Sequence, residues 1–317
     1  MKREVILGID TSNYTTSVAI VGIDGELIAN IKRPLPVKPG ERGLRQSDAV
    51  FAHVKNVPSA MEEARQYLEE SVIVAVGVSE KPRNVDGSYM PCFLSGLAVA
   101  ESIAATLDVP IYKFSHQCGH IMAALYSSGR IDLLEREFCA FHVSGGTTEV
   151  LRVSKSVAAF HAELVGGTAD INAGQLIDRI GVYMGLRFPA GPHVESLALE
   201  NESKLPPIKL KANDCTVNLS GAENLAVSLY KKTEDARLTS AYVLSYVTNA
   251  LSLLAASYVE KYGKTEFVFA GGVMSNSIIK SALSKQFNAS FATPACSADN
   301  AVGIAYLAMR AYNSENK

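Results

Sequence analysis

Net charge is nearly absent from this chain: 30 Lys and Arg against 32 Asp and Glu leave −2 over 317 residues, with a pI near 6.3. No bulk positive field advertises nucleic acid, so such a partner would need a local basic patch or a basic partner protein. Cysteine is sparse as well. The five residues Cys92, Cys118, Cys139, Cys215 and Cys296 are scattered, odd in number and without paired spacing. That excludes a disulfide scaffold and predicts reduced thiols in a reducing, cytoplasmic compartment. The segment Met1 to Asp10 has no signal-peptide apolar region and starts a strand pattern at once. A clean membrane-length run is missing too, because Ala241 to Val259 carries Ser, Thr, Asn and Tyr throughout; it reads as a buried helix, with no membrane partner expected. Finally, no H-E-x-x-H helix, nucleophile beside a base or carboxylate dyad is visible, which leaves protease chemistry without support.

What is present is an ample core and a plan used twice. Hydrophobic residues make up 48% of the chain, enough for one large or two medium domains. Residues 5–9 form an apolar strand pattern that leads through Asp10-Thr-Ser-Asn-Tyr-Thr-Thr16 into Ser17 to Val21. Some 135 residues later, roughly one average domain on, Cys139 to Val143 leads through Ser144-Gly-Gly-Thr-Thr148 into Glu149 to Val153. Both read as β-hairpins whose small or hydroxylated tips would let backbone N–H groups face a phosphate. Further signals follow each hairpin: strand 26–32, helix 47–70 and strand 72–78 in the first half, strand 158–164 and helices 171–185 and 192–200 in the second. A third glycine element, Phe267 to Val273, is a buried strand breaking on Gly271-Gly272 into a helix near Ser275. Singly, each such tip is usually just a turn. In this order they carry the signature of an α/β fold of the actin-like ATPase and sugar-kinase type, two lobes around a central nucleotide cleft. The expected lobes are 1–132, with the C-terminal segment 298–317 packing back onto it, and 133–297.

A strand pattern at Val109 to Phe114 runs into His116-Gln-Cys-Gly-His120 at the mouth of an apolar helix pattern. Positions i and i+4 share a helix face, and neutral imidazole is a common ligand for zinc and iron. An isolated pair of this spacing also serves as a helix cap or as packed core histidines. A carboxylate would complete a metal site, and Asp299, in Ser297-Ala-Asp-Asn300 at the opening of the last helix, is the one nominated. Cys118 sits at i+2 from His116, on a different face, and reads as a small packed residue.

The succession Ile6-Leu-Gly-Ile-Asp-Thr-Ser12, His116-x-x-x-His120, Val143-Ser-Gly-Gly146, Asp170 with Gly174 and Asp178, Gly185-Leu-x-x-Pro189-x-Gly-Pro192, Ser220-Gly221, Ala270-Gly-Gly-Val-x-x-Asn276 and Asp299-Asn300 resembles the tRNA threonylcarbamoyladenosine transferase family (TsaD). It spans nearly the whole chain, and its specificity lies in the ensemble. By that resemblance His116, His120 and Asp299 match the family's iron or zinc ligands. Val143, Ser144, Gly145, Gly146, Asp178, Gly191, Glu195 and Asn276 match its adenylate-binding positions, with Asp178 at the ribose. The implied reaction moves a threonylcarbamoyl group from an adenylate to the exocyclic amine of a tRNA adenosine, releasing AMP, in a complex with partner proteins. One divalent metal and an adenylate or ATP are the implied ligands. Lys81, Arg83 and Arg187 are candidates for a local tRNA patch.

Departures from the family pattern cluster near the chemistry. The first hairpin reads Asp10-Thr-Ser-Asn-Tyr-Thr15 where family members usually read Glu-Thr-Ser-Cys-Asp-Glu, which leaves Asp10 as its catalytic candidate. Cys118 replaces a Glu between the histidines, Thr147 a His, and Ile171 the second acid of an Asp-Asp pair. Glu80 to Gly87 stands where a Gly-Pro-Gly loop is usual. The pattern is that of a divergent paralogue. It leaves open a carbamoyltransferase of the same fold with a protein or small-molecule acceptor, and a non-catalytic nucleotide-binding subunit.

Overall fold

The computed structural model describes residues 2–12, 14–37, 44–156 and 160–316. Asn13 of the first hairpin tip, residues 158–159 of the expected strand 158–164, and the end residues Met1 and Lys317 lie outside the described residues.

Strands β1 (Arg3–Asp10) and β2 (Thr15–Gly22) form the first hairpin, with Asp10 opposite Ser17, and β3 (Leu27–Pro34) extends it. Helix α1 (Gln46–Arg65) ends five residues short of the expected 47–70. Strand β4 (Ser71–Lys81) pairs in parallel with β1; then come α2 (Phe93–Leu107) and β5 (Ile111–Ser115), giving the order β3-β2-β1-β4-β5. β1 is buried on both faces, and its alternation sorts its neighbours. Val5, Leu7 and Ile9 pack with residues of α1 and α2, whereas Ile6 lies on the opposite face.

Helix α3 (His116–Ser127) starts without a linker after β5, and its first turn is capped by Ser115, whose Oγ accepts from the Cys118 N–H at 3.2 Å. The hairpin plan then recurs in β6 (Phe138–Val143), β7 (Thr148–Lys155) and β8 (Phe160–Thr168). Helices α4 (Ala173–Tyr183) and α5 (Gly191–Leu199), the short β9 (Thr216–Val217), and helices α6 (Ser220–Thr233) and α7 (Ala236–Tyr262) follow. Next are β10 (Phe267–Ala270), a 3-10 turn at Gly272–Ser275, α8 (Ser277–Gln286), β11 (Ala289–Phe291), α9 (Pro294–Ser297) and α10 (Val302–Glu315). The second sheet has the order β11-β10-β6-β7-β8-β9. α7 is long and apolar enough to cross a membrane by length and composition, yet Tyr242, Val247, Leu251, Leu254 and Tyr258 lie within the second sheet's core.

The last helix turns back onto the first sheet, where Gly8 and Gly77 leave room for it: a Cβ at either would meet Ala305 or Ala308 within 2.8 Å. It also crosses α3 at its closest point, where a Cβ on Gly303 would collide with the Gly119 carbonyl. This crossing carries the segment preceding α10 over the first turn of α3. The last helix, expected to open at Ser297 to Asn300, thus begins only at Val302, and Asp299 stands in the turn before it, with Asn300 Oδ1 accepting from the Val302 N–H at 3.0 Å.

Candidate metal and nucleotide site

His116 is the first residue of α3 and His120 lies one turn on, so their rings meet at 4.4 Å between centroids. Asp299 arrives from the turn before α10. Its Oδ1 is 3.5 Å from His116 Nε2 and 3.3 Å from His120 Nε2, and one donor atom from each of the three lies within 4.8 Å of the others. Chain positions 116, 120 and 299, which sequence spacing alone cannot relate, are therefore brought together. Neither ring nitrogen of buried His120 makes a well-formed hydrogen bond. Two imidazoles, one of them a buried ring without a well-formed hydrogen bond, and a carboxylate are a donor set that iron(II) or zinc takes.

Asp10, at the end of β1, is fully buried; its Oδ2 is 2.8 Å from His116 Nδ1 and its Oδ1 accepts from the Ser12 N–H at 2.8 Å. Burial alone would raise the Asp10 carboxyl, but the His116 charge and hydrogen bond outweigh it and hold it low. For His116 burial pulls downward, and Asp10 and Asp299 reverse this to about 10. Asp299 is likewise kept well below the usual carboxylate range against its burial by the two histidines. His120 is lowered by burial and by His116. The carboxylate on Nδ1 fixes the His116 ring and leaves Nε2 toward Asp299, an arrangement typical behind metal-bound histidines.

A third ring was missed by the sequence reading. His142, on β6, lies 4.6 Å from His120 and 6.3 Å from His116 between centroids, and burial holds it well below its ordinary range. The available signal was strand alternation next to the H-x-x-x-H helix.

On the second sheet, the hairpin tip and α4 are stitched together: the Gly174 N–H donates to the Ser144 carbonyl at 3.2 Å, and the Ala173 N–H to Thr148 Oγ1 at 2.8 Å. A side chain at Gly174 would strike Ser144 O at 2.6 Å, so glycine is what permits this approach. Open space lies beside Gly145, Gly146 and Gly191. The expected adenylate carboxylates are engaged in framing this region. Asp178 Oδ1 accepts from the Ala190 N–H at 2.7 Å, at the start of α5, and burial raises its carboxyl. Glu195 Oε1 accepts from the Ser277 N–H at 2.7 Å, and Asn276 caps α8 by accepting from the Ile278 and Ile279 N–H groups, each at 3.1 Å.

The residues nominated for a basic patch are only partly free. Arg83 Nε pairs with buried Glu149 at 2.8 Å, Gln117 also donates to Glu149, and Lys81 lies 3.4 Å from Glu80. Arg187 is exposed. Around Arg83, Gln117, Glu149, His161 and Glu163 lies a cavity of about 270 Å³.

The family model for tRNA N6-adenosine threonylcarbamoyltransferase, TsaD, matches residues 34–306. The enzyme of that name from Streptococcus pneumoniae (strain Taiwan19F-14) is 30% identical over 331 residues, covering 100% of this chain and 95% of the relative. Its counterpart from Streptococcus sanguinis (strain SK36) is also 30% identical, with the same coverage. Among solved structures, full-length HypF in its phosphate- and nucleotide-bound form superposes with a TM-score of 0.61 at 14% identity, over 98% of this chain and 47% of HypF. This chain thus spans about half of HypF. Component A of (R)-2-hydroxyglutaryl-CoA dehydratase from Acidaminococcus fermentans gives 0.55 at 14% identity, over 98% of this chain and 99% of the other. The ROK hexokinase of Thermus thermophilus gives 0.54 at 13%, with the same two shares. At these identities the structural likeness speaks for the fold, that of the actin-like ATPases and sugar kinases.

Proposed function

The chain belongs to the tRNA N6-adenosine threonylcarbamoyltransferase family, a family of transferases, and from that premise we propose that it moves a threonylcarbamoyl group from an adenylate to the exocyclic amine of a tRNA adenosine, with release of AMP. The observation that carries this reading is the convergence of His116, His120 and Asp299 within 4.8 Å. These three would hold one divalent iron or zinc ion, which when bound supplies Lewis acidity toward the carbamoyl carbonyl. Asp10 acts through His116, fixing its ring, rather than by touching substrate. Val143 to Gly146 at the hairpin tip, Gly191 at the start of α5 and Asn276 at the start of α8 frame the adenylate, with Asp178 and Glu195 steadying those helix starts. Backbone amides of the tip face the charge that develops on the transferring group. In the transfer itself the adenosine amine forms a C–N bond to the carbamoyl carbon. The C–O bond to the phosphate breaks, AMP leaves with the electron pair, and the amine proton passes to solvent. The two lobes proposed for this chemistry are residues 1–132 with 298–317, and 133–297.

The test is AMP release from threonylcarbamoyl-adenylate, with and without tRNA, for the chain alone and supplied with partner subunits. Release that requires tRNA and is lost in the His116→Ala/His120→Ala variant is the expected result. Release driven by a protein or small-molecule acceptor and indifferent to tRNA replaces this reading with a carbamoyltransferase. Adenylate binding without release in any combination leaves a non-catalytic subunit.

A further inference from the structure

Alternation along β6 divides its side chains cleanly. Cys139, Phe141 and Val143 belong to the core under α4, α5 and α7, whereas Phe138 and Ala140 belong to the core that contains Ile121, Met122 and Leu125 of α3. His142 continues the second series, so it faces α3 from the opposite sheet. An apolar residue would complete that core at no polar cost. Instead an imidazole is buried there, 4% exposed, with neither Nδ1 nor Nε2 hydrogen-bonded. Two unpartnered ring nitrogens in a packed interior are unfavourable unless something outside the chain satisfies one of them. Its ring neighbours are His120, at 4.6 Å between centroids and itself without a well-formed hydrogen bond, and His116 at 6.3 Å; these two form the three-donor cluster with Asp299.

We infer that His142 is a fourth protein ligand of the metal, turning a site of two histidines and one aspartate into one of three histidines and one aspartate. The inference rests on the metal site proposed above and adds to it a donor from the second sheet. Three consequences follow from the donor set. Four protein donors rich in imidazole suit zinc and leave fewer positions for water than three do. The bound ion ties β6 to α3 and to the turn before α10, so metal occupancy couples the two sheets. Loss of His142 leaves a weaker site of three donors rather than no site.

Zinc affinity of the full-length chain, measured by competition with a chromophoric chelator, and the visible absorption of its cobalt(II) form test this. The comparison is between the wild type, H142A, H142Q and the H116A/H120A double variant, with circular dichroism confirming the fold of each. H142A and H142Q are expected to bind zinc at least about tenfold more weakly, with weaker cobalt absorption as water replaces an imidazole. H142Q keeps a polar side chain of similar length, so it remains informative should H142A fail to fold. Unchanged affinity and an unchanged cobalt spectrum in the His142 variants, with metal lost in H116A/H120A, overturn the inference and leave the three-ligand site standing. Metal that binds equally well in H116A/H120A, or a wild type that binds neither ion, overturns the underlying metal reading and this inference with it.

Discussion

At the scale of single residues, the proposed metal site depends on what stands behind His116. Asp10 is inaccessible and spends its carboxylate on His116 and on the Ser12 amide, so replacing it should alter the metal and not the fold. Asp10→Asn keeps the shape and removes the charge. Its zinc affinity is expected to fall by about 10- to 100-fold, the usual cost of losing a partner behind a ligand, with a far-ultraviolet spectrum like that of the wild type. Another buried histidine, His53 on α1, makes a different prediction. Its Nδ1 is 2.8 Å from Thr16 Oγ1, Nε2 has no partner, and burial lowers it from an ordinary value of 6.5 to about 4. Between those values the unfolded chain takes up a proton that the folded chain refuses. The stability from a neutral His53 is thus complete above pH 6.5 and declines as pH falls toward 4. Urea unfolding at pH 7, 6 and 5 should show a shallower decline for His53→Gln than for the wild type; parallel curves would mean that His53 titrates alike in both states.

Elements matter here through how closely they approach. A Cβ on Gly303 would run into the backbone carbonyl of Gly119, which cannot swing aside, whereas a Cβ on Gly119 would meet the end of the Ile304 side chain at 2.9 Å, which can. Gly303→Ala is therefore expected to push α10 off α3, to cost about 1–3 kcal/mol as overpacking does, and to lower metal content by displacing Asp299. Gly119→Ala should cost less and keep its metal; equal losses in both would show that the crossing does not set the position of Asp299. The same close packing explains what the sequence could show. Long strands with large apolar residues, such as β1, and the H-x-x-x-H turn were legible because periodicity and residue type coincide. Helix α2 passed unread because its buried stripe is largely Ser95, Gly96, Ala100 and Ala104, and α6 because only Ala222 and Ala226 are buried. Small residues pack backbones together without producing a strong apolar period. His142 was hidden for another reason: it sits inside an apolar strand, and only the face it shares with Ala140 relates it to α3.

For the molecule as a whole, the question is how a chain of net charge −2 would hold tRNA. A polyanion is bound chiefly by cations that displace its counterions, so each phosphate contact steepens the salt dependence of affinity. Of the nominated cations, Arg83 is a poor probe of this. Its guanidinium answers buried Glu149, and reversing it to glutamate would set two carboxylates side by side and disturb the segment joined to Gln117, between His116 and His120. A loss of tRNA binding in that variant would report the broken pair as much as a missing contact. Arg187 is exposed, in the turn between α4 and α5, and its charge can be reversed without breaking a buried pair. Arg187→Glu is expected to weaken tRNA binding at low salt and to reduce the slope of log affinity against log salt by about 0.7–0.9, the worth of one phosphate contact. Adenylate affinity and metal content should stay at wild-type levels. Filter binding of a tRNA transcript across a salt series, with and without the proposed partner proteins, decides it: an unchanged slope would remove Arg187 from the proposed tRNA surface.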